Sequence, residues 1–172
     1  MLAGVLAGLV HAGSGAGNLQ QHSAALYTSG TLSAQQLAAL ESDGLTIVID
    51  LRQAVEGTAD SRAIADELGL GYANLPVGRE LPNQRTMDQI SAIIDAAVTG
   101  KVLLHCASGH RAGMVLALYL QQHGTSSAAA LASAQVAGTR ADGLVQLQTR
   151  FEQLPAADDT ATSIDNHNHQ EH

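Results

Sequence analysis

Nine residues, His105-Cys106-Ala107-Ser108-Gly109-His110-Arg111-Ala112-Gly113, stand between two apolar runs. Lys101-Val102-Leu103-Leu104 before them reads as a buried strand, and Met114-Val115-Leu116-Ala117-Leu118-Tyr119-Leu120 after them as a buried helix. The only cysteine of the chain therefore lies in a tight turn from a strand end into a helix start. Amides at such a turn lack intrahelical partners, and the helix dipole adds partial positive charge. That setting favours a thiolate. Arg111 adds a full charge and a planar fork suited to an oxyanion, and an arginine at a positive helix end is itself unfavourable without an anion. The stretch predicts a Cys106 nucleophile in an anion cradle formed by Ala107, Ser108, Gly109, His110 and Arg111. Gly109 supplies backbone freedom. Ser108 donates to the anion or the sulfur, or is a plain turn serine. His110 either meets the thiolate or faces solvent.

The rest of the chain alternates strands with helices. Strands are expected at 24–30, 45–51 and 72–77, and helices at 34–42, 60–68, 86–98, 127–137 and 143–154. Capping-box patterns at Ser33/Gln36 and Thr86/Gln89 open two of the helices. Gly44, Gly69 and Gly100 punctuate the ends. This alternation predicts an α/β fold, a parallel central sheet flanked by helices. Ligands in such sheets bind beyond the carboxyl ends of the strands. Asp50 and Arg52 end one strand, residues 77–80 follow another, and Cys106 follows a third. Three loops are thus expected at one site.

Length and charge narrow the functional classes. At 172 residues the chain is expected to carry one catalytic domain, 17–154. Sixteen acidic residues against eight lysines and arginines give a net charge of −8, which argues against a nucleic-acid partner. Residues 1–16 are small and apolar, which predicts a signal peptide and export to the periplasm, or else an N-terminal extension of a cytoplasmic protein. The run is too short to span a membrane. From Pro155 a polar tail, 155–172, ends His167-Asn168-His169-Gln170-Glu171-His172 and is expected to be disordered. Ligands without a fixed scaffold bind metal weakly, so neither a metal nor a cofactor is expected.

Residues 105–120 resemble the signature of cysteine-dependent tyrosine and dual-specificity phosphatases: His-Cys, a glycine-containing loop, Arg, a small residue, Gly and an apolar helix. Four residues separate Cys106 from Arg111 where those enzymes have five. That spacing is common in rhodanese-type sulfurtransferases. It also matches the Cys-x-Ser-Gly-x-Arg of the phosphatase-like domain of beta-lactamase-hydrolase-like proteins. Ile49-Asp50-Leu51-Arg52 with Glu56, and Leu75-Pro76-Val77, are similar to that family too, so the likeness spans about 26–124.

The resemblance implies a tyrosine-phosphatase-like fold and hydrolysis of a phosphate ester through a phosphocysteine. It gives His105 a loop-ordering role and requires a general acid. Gly78 stands where the acid is usual, leaving Glu80 as the nearest substitute. Ala112 replaces the hydroxyl that helps the thiolate leave. Asp50, Arg52 and Glu56 form a further charged group, either a structural ion pair or an orienting pair of Arg52 and Glu56 at the site entrance. A second reading is a sulfurtransferase taking sulfane sulfur from a donor onto Cys106, since a short cradle suits a persulfide and a sulfite leaving group needs no acid. A third is a non-catalytic module binding an anion or a protein.

Overall fold

The computed structural model describes residues 18–153. The expected signal segment, 1–16, and the His-containing tail from Pro155 lie outside the described residues. Five strands and six helices follow one another as β1 (Gln20–Gln21), β2 (Leu26–Ser29), α1 (Ala34–Ser42), β3 (Leu45–Asp50), α2 (Thr58–Glu67), β4 (Gly71–Asn74), α3 (Gln84–Ala96), β5 (Lys101–His105), α4 (His110–Gln122), α5 (Ser127–Val136) and α6 (Ala141–Glu152), with a short 3₁₀ turn at Ala54–Glu56. The sheet order is β1-β2-β5-β3-β4, so β5 is the central strand. Its pairings with β2 and β3 are parallel, as is β3 with β4; only the two-residue β1 runs antiparallel, at the edge. The α/β architecture expected from the alternation is present, with β1 as an unforeseen addition.

Side-chain alternation along β5 divides the core in two. Val102 and Leu104 point to one face, with Ile49, Met87, Ile90, Met114, Leu116 and Leu147; Leu103 points to the other, with Val48, Leu37 and Ala65. Helices α3 to α6 therefore cover one face, and α1 and α2 the other. In β3, Leu45 and Ile47 serve opposite faces although they are two residues apart, because the register shifts between them. Helix α4 is buried from Ala112 to Leu118 and packs against α3, α5 and α6. Its Gly113 permits the α5 contact, since a Cβ there would sit 2.8 Å from the Ala134 carbonyl.

Local signals behave unevenly. The Ser33/Gln36 capping box forms with both of its hydrogen bonds. The expected Thr86/Gln89 box does not open α3. Asn83 is the cap, its side chain accepting from the Thr86 amide at 3.0 Å, so the helix starts at Gln84. An asparagine caps as well as any residue, and it stands earlier in the chain.

Beneath the carboxyl ends of β3 and β5 lies a buried polar network. Asp50, fully buried, accepts from Arg52 Nε at 3.0 Å, from Arg52 Nη2 at 2.7 Å and from the Tyr72 hydroxyl at 2.7 Å. His105 Nε2 lies 3.4 Å from the same carboxylate. Burial alone would raise the Asp50 pKa, but the hydrogen bonds from His105, Arg52 and Tyr72 outweigh it and hold the carboxyl well below the usual range. The unfolded chain takes up a proton near pH ~3.9 that folded Asp50 refuses. The stability contributed by this group is thus present above that pH and is lost as pH falls through and below it. Asp50→Asn leaves Arg52 buried without its counter-charge, at an expected cost of about 3–5 kcal/mol in denaturant unfolding. A loss below about 1 kcal/mol would show that Arg52 finds other partners.

Candidate active site

Three loops meet at the carboxyl end of the sheet. The Leu51 amide donates to the His105 carbonyl at 2.9 Å and the Val77 amide to the Leu51 carbonyl at 3.0 Å, which ties the segments after β3, β4 and β5 together. Asn74 reinforces this by donating to the carbonyls of Asp50 and Arg52.

Cys106 is the first residue after β5 and is 1% exposed, at the floor of the loop. Its amide donates to the Ser29 carbonyl, and the Ala107 carbonyl accepts from Thr31, so β2 anchors the loop from behind. By strict geometry, the amides of Ala107, Ser108, His110, Arg111 and Ala112 donate to no protein acceptor among the described residues. They are free to bind an anion. Gly109 caps α4 with φ +91°, and a Cβ there would lie 2.6 Å from the Ala137 carbonyl. Conformation and space thus both require glycine. Gly109→Ala is expected to lower oxyanion affinity at least about tenfold by displacing the loop, read by phosphate titration.

Arg111, in the first turn of α4, is held by four hydrogen bonds to three residues. Nη1 donates to Glu56 Oε2 at 2.9 Å and to the carbonyls of Val77 and Leu51 at 3.1 and 3.3 Å, while Nη2 donates to Glu56 Oε1 at 2.6 Å. The bidentate pair uses one edge of the guanidinium. The other edge, Nε and the second Nη2 hydrogen, has no acceptor in the backbone or a carboxylate among the described residues. Hydrogen bonding to Glu56 chiefly raises the Arg111 pKa. Glu56 in turn is held below the ordinary carboxylate range, first by its hydrogen bonds to Arg111. With four residues between them, Cys106 and Arg111 stand at the two ends of one loop between β5 and α4.

Several expected roles are redistributed. Arg52 does not pair with the Glu56 carboxylate; it binds Asp50 and the Ser61 hydroxyl, and of Glu56 it reaches only the backbone carbonyl. His105 joins the Asp50 network and its Nδ1 has no partner among the described residues. His110 is not solvent-exposed, and no hydrogen bond joins its ring to Cys106 among the described residues. It is buried, and its Nδ1 accepts from the Arg140 amide at 3.0 Å. Burial and then the Arg140 charge lower its pKa, favouring the neutral ring that this bond needs. Ser108 is exposed at the loop rim, its backbone bridging Gly30.

A cavity of about 420 Å³ opens over the loop, lined by Gln53, Glu56, Val77, Gly78, Arg79, Ala107, Ser108, His110, Arg111, Arg140 and Asp142. Glu80 is exposed and lines a separate groove with Leu81, Val145 and Gln146. The wall contributed by Arg140 and Asp142, at the start of α6, has no counterpart in the sequence reading. No group of histidine, cysteine, aspartate and glutamate side chains able to hold a metal occurs among the described residues.

A mostly parallel sheet whose central strand runs into a single Cys–Arg loop, and from there into a buried helix, defines a phosphatase-like α/β protein. Residues 23–125 match the family model "Tc-R-P: Polymorphic toxin system, DSP-PTPase phosphatase", and the chain belongs to that family. Among solved structures, TpbA from P. aeruginosa is 24% identical with a TM-score of 0.65, over 77% of this chain and 84% of its own. A DUF442 protein from Shewanella putrefaciens CN-32 is 23% identical with a TM-score of 0.64, over 80% of this chain and 95% of its own. Tk-PTP is 18% identical with a TM-score of 0.65, over 80% and 98%. At these identities the likeness establishes the fold. No curated protein matches the chain. The sulfurtransferase alternative is not favoured by these comparisons.

Proposed function

We propose that the protein hydrolyses phosphomonoesters through a phosphocysteine. The observation that carries this reading is the free edge of Arg111 at the end of a loop of unpartnered amides that begins at Cys106, while Glu56 occupies the other edge. The Cys106 thiolate attacks phosphorus; the Sγ–P bond forms and the P–O ester bond breaks. Loop amides and Arg111 stabilise the charge spread over the three equatorial oxygens in the transition state. The departing oxygen takes a proton, and water then attacks phosphorus, breaking the Sγ–P bond and releasing phosphate and thiolate. TpbA has been solved in complex with phosphotyrosine, which agrees with a phosphoryl ligand in such a loop.

Two features shape the turnover. Glu56 is engaged by Arg111, Glu80 faces another groove, and Asp142, the other carboxylate of the cavity wall, lies beside Arg140, so leaving-group protonation is weakly assisted. Aryl phosphates are expected to exceed alkyl phosphates in kcat/KM by about 10²- to 10⁴-fold, the range of general acid catalysis. Ala112 carries no hydroxyl to ease departure of the thiolate, so the phosphocysteine should accumulate. Mixing with 4-nitrophenyl phosphate is expected to give a burst of nitrophenol equal to the enzyme. Intact-protein mass spectrometry of the quenched burst tests the reading. An adduct of about 80 Da (one HPO₃) on Cys106 is expected. No such adduct, with one of about 32 Da after thiosulfate, would overturn it in favour of sulfur transfer.

A further inference from the structure

We propose that the substrate is a small phosphoester whose leaving group carries a second anionic group, phosphate or carboxylate, held by Arg79 and Arg140 while the scissile phosphate occupies the 106–111 loop. This deepens the phosphatase reading and rests on it. The chain has eight lysines and arginines against sixteen acidic residues, yet three of the eight, Arg79, Arg111 and Arg140, line one cavity. Arg111 is accounted for by Glu56 and the loop. The other two are not. Arg79 has no carboxylate within ion-pair distance among the described residues. Arg140 makes one contact, Nε to Asp142 Oδ1 at 3.7 Å, with side chains 64% and 63% exposed. An exposed pair that long contributes little, so the guanidinium is available to a ligand.

Both arginines are nonetheless positioned. The Arg140 amide is fixed to the buried His110 ring, next to Arg111 in the chain. Gln146 on α6 donates to the Arg79 carbonyl at 3.3 Å, so the loop after β4 and the wall at α6 are joined. At about 420 Å³ the cavity falls within the range of small-molecule sites, roughly 300–1,000 Å³, and has room beyond a single phosphoryl group. Guanidinium forks match the oxygens of phosphate and carboxylate alike.

The test uses the full chain carrying Cys106→Ser, titrated calorimetrically at low salt. The ligands are inorganic phosphate, alkylphosphonates of one to four carbons, α,ω-alkanediphosphonates and ω-phosphonocarboxylates of matching lengths. At one chain length a two-headed ligand is expected to bind at least about tenfold tighter than the matched alkylphosphonate. The series that does so identifies the second group. Adding Arg79→Gln and Arg140→Gln, singly and together, is expected to bring that ratio towards about one, with alkylphosphonate binding showing that the loop is formed. Arg85→Gln, an equal change of charge outside the cavity, should preserve the ratio, and Asp142→Asn should raise it by freeing Arg140. A ratio near one at every length, or a ratio indifferent to both arginines, overturns the proposal while leaving the phosphatase reading intact. Failure to bind phosphate at all, with no phosphoenzyme in the unsubstituted protein, removes both.

Discussion

Cys106→Ser is expected to abolish phosphoester turnover, by at least about 10⁴-fold in kcat, while leaving a folded protein that binds phosphate. The side chain sits at the floor of the loop, 1% exposed, and its replacement is close to isosteric. The amides above it and the Arg111 guanidinium do not depend on the sulfur for their placement. Ser29 anchors the Cys106 backbone, Gly109 turns the loop, and Glu56, Leu51 and Val77 hold the guanidinium. A hydroxyl in place of the thiol has neither the nucleophilicity nor a nearby base to acquire it. Steady-state hydrolysis of 4-nitrophenyl phosphate measures the loss, and calorimetry with inorganic phosphate measures what remains. Residual turnover above about one per cent would move the nucleophile elsewhere and overturn the mechanism; loss of phosphate binding with retained fold would mean that the sulfur itself organises the cradle.

What the sequence discloses here is local. The strand, tight loop and buried helix around Cys106 are legible because each signal lies within a few residues: an apolar run, a glycine, an arginine, another apolar run. The Ser33 cap is legible for the same reason. The partners of those elements are not. Glu56 stands 55 residues from Arg111, and nothing in its neighbourhood separates a clamp for Arg111 from a partner for Arg52. Sheet order decides the matter: β3 lies beside β5, so the 3₁₀ turn after β3 meets the first turn of α4. His110 is misjudged for a similar reason. Its burial depends on the start of α6, some thirty residues on, folding back over it; a Cβ at Gly143 would come within 2.7 Å of its ring. That small residue against the loop is the signal in retrospect, but it reads as such only once α6 is placed. The wall made by Arg140 and Asp142 is hidden in the same way. Glu80, close in sequence to the usual acid position, lies instead in a different groove, against Val145, Gln146 and Thr149 further along α6.

Arg111→Lys is expected to lower kcat/KM for aryl phosphates by about 10²- to 10³-fold although the charge is kept. The guanidinium here is a bracket with two working edges. One engages Glu56 at 2.6 and 2.9 Å; the other is left for the ligand. An ammonium has no second edge and cannot hold Glu56 and a phosphoryl oxygen in one plane. It also leaves the carbonyls of Leu51 and Val77 without their shared donor, loosening the loops after β3 and β4. Glu56→Gln should cost less, about 10- to 100-fold, since an amide oxygen still accepts one of the two hydrogen bonds. Because Glu56 acts through Arg111, the two losses should not add. In the Arg111→Lys background, Glu56→Gln is expected to change kcat/KM by less than about threefold, the signature of one functional unit in a double-mutant cycle. Full additivity would show Glu56 touching substrate or water by itself, and would recast it from a positioning residue into a catalytic one.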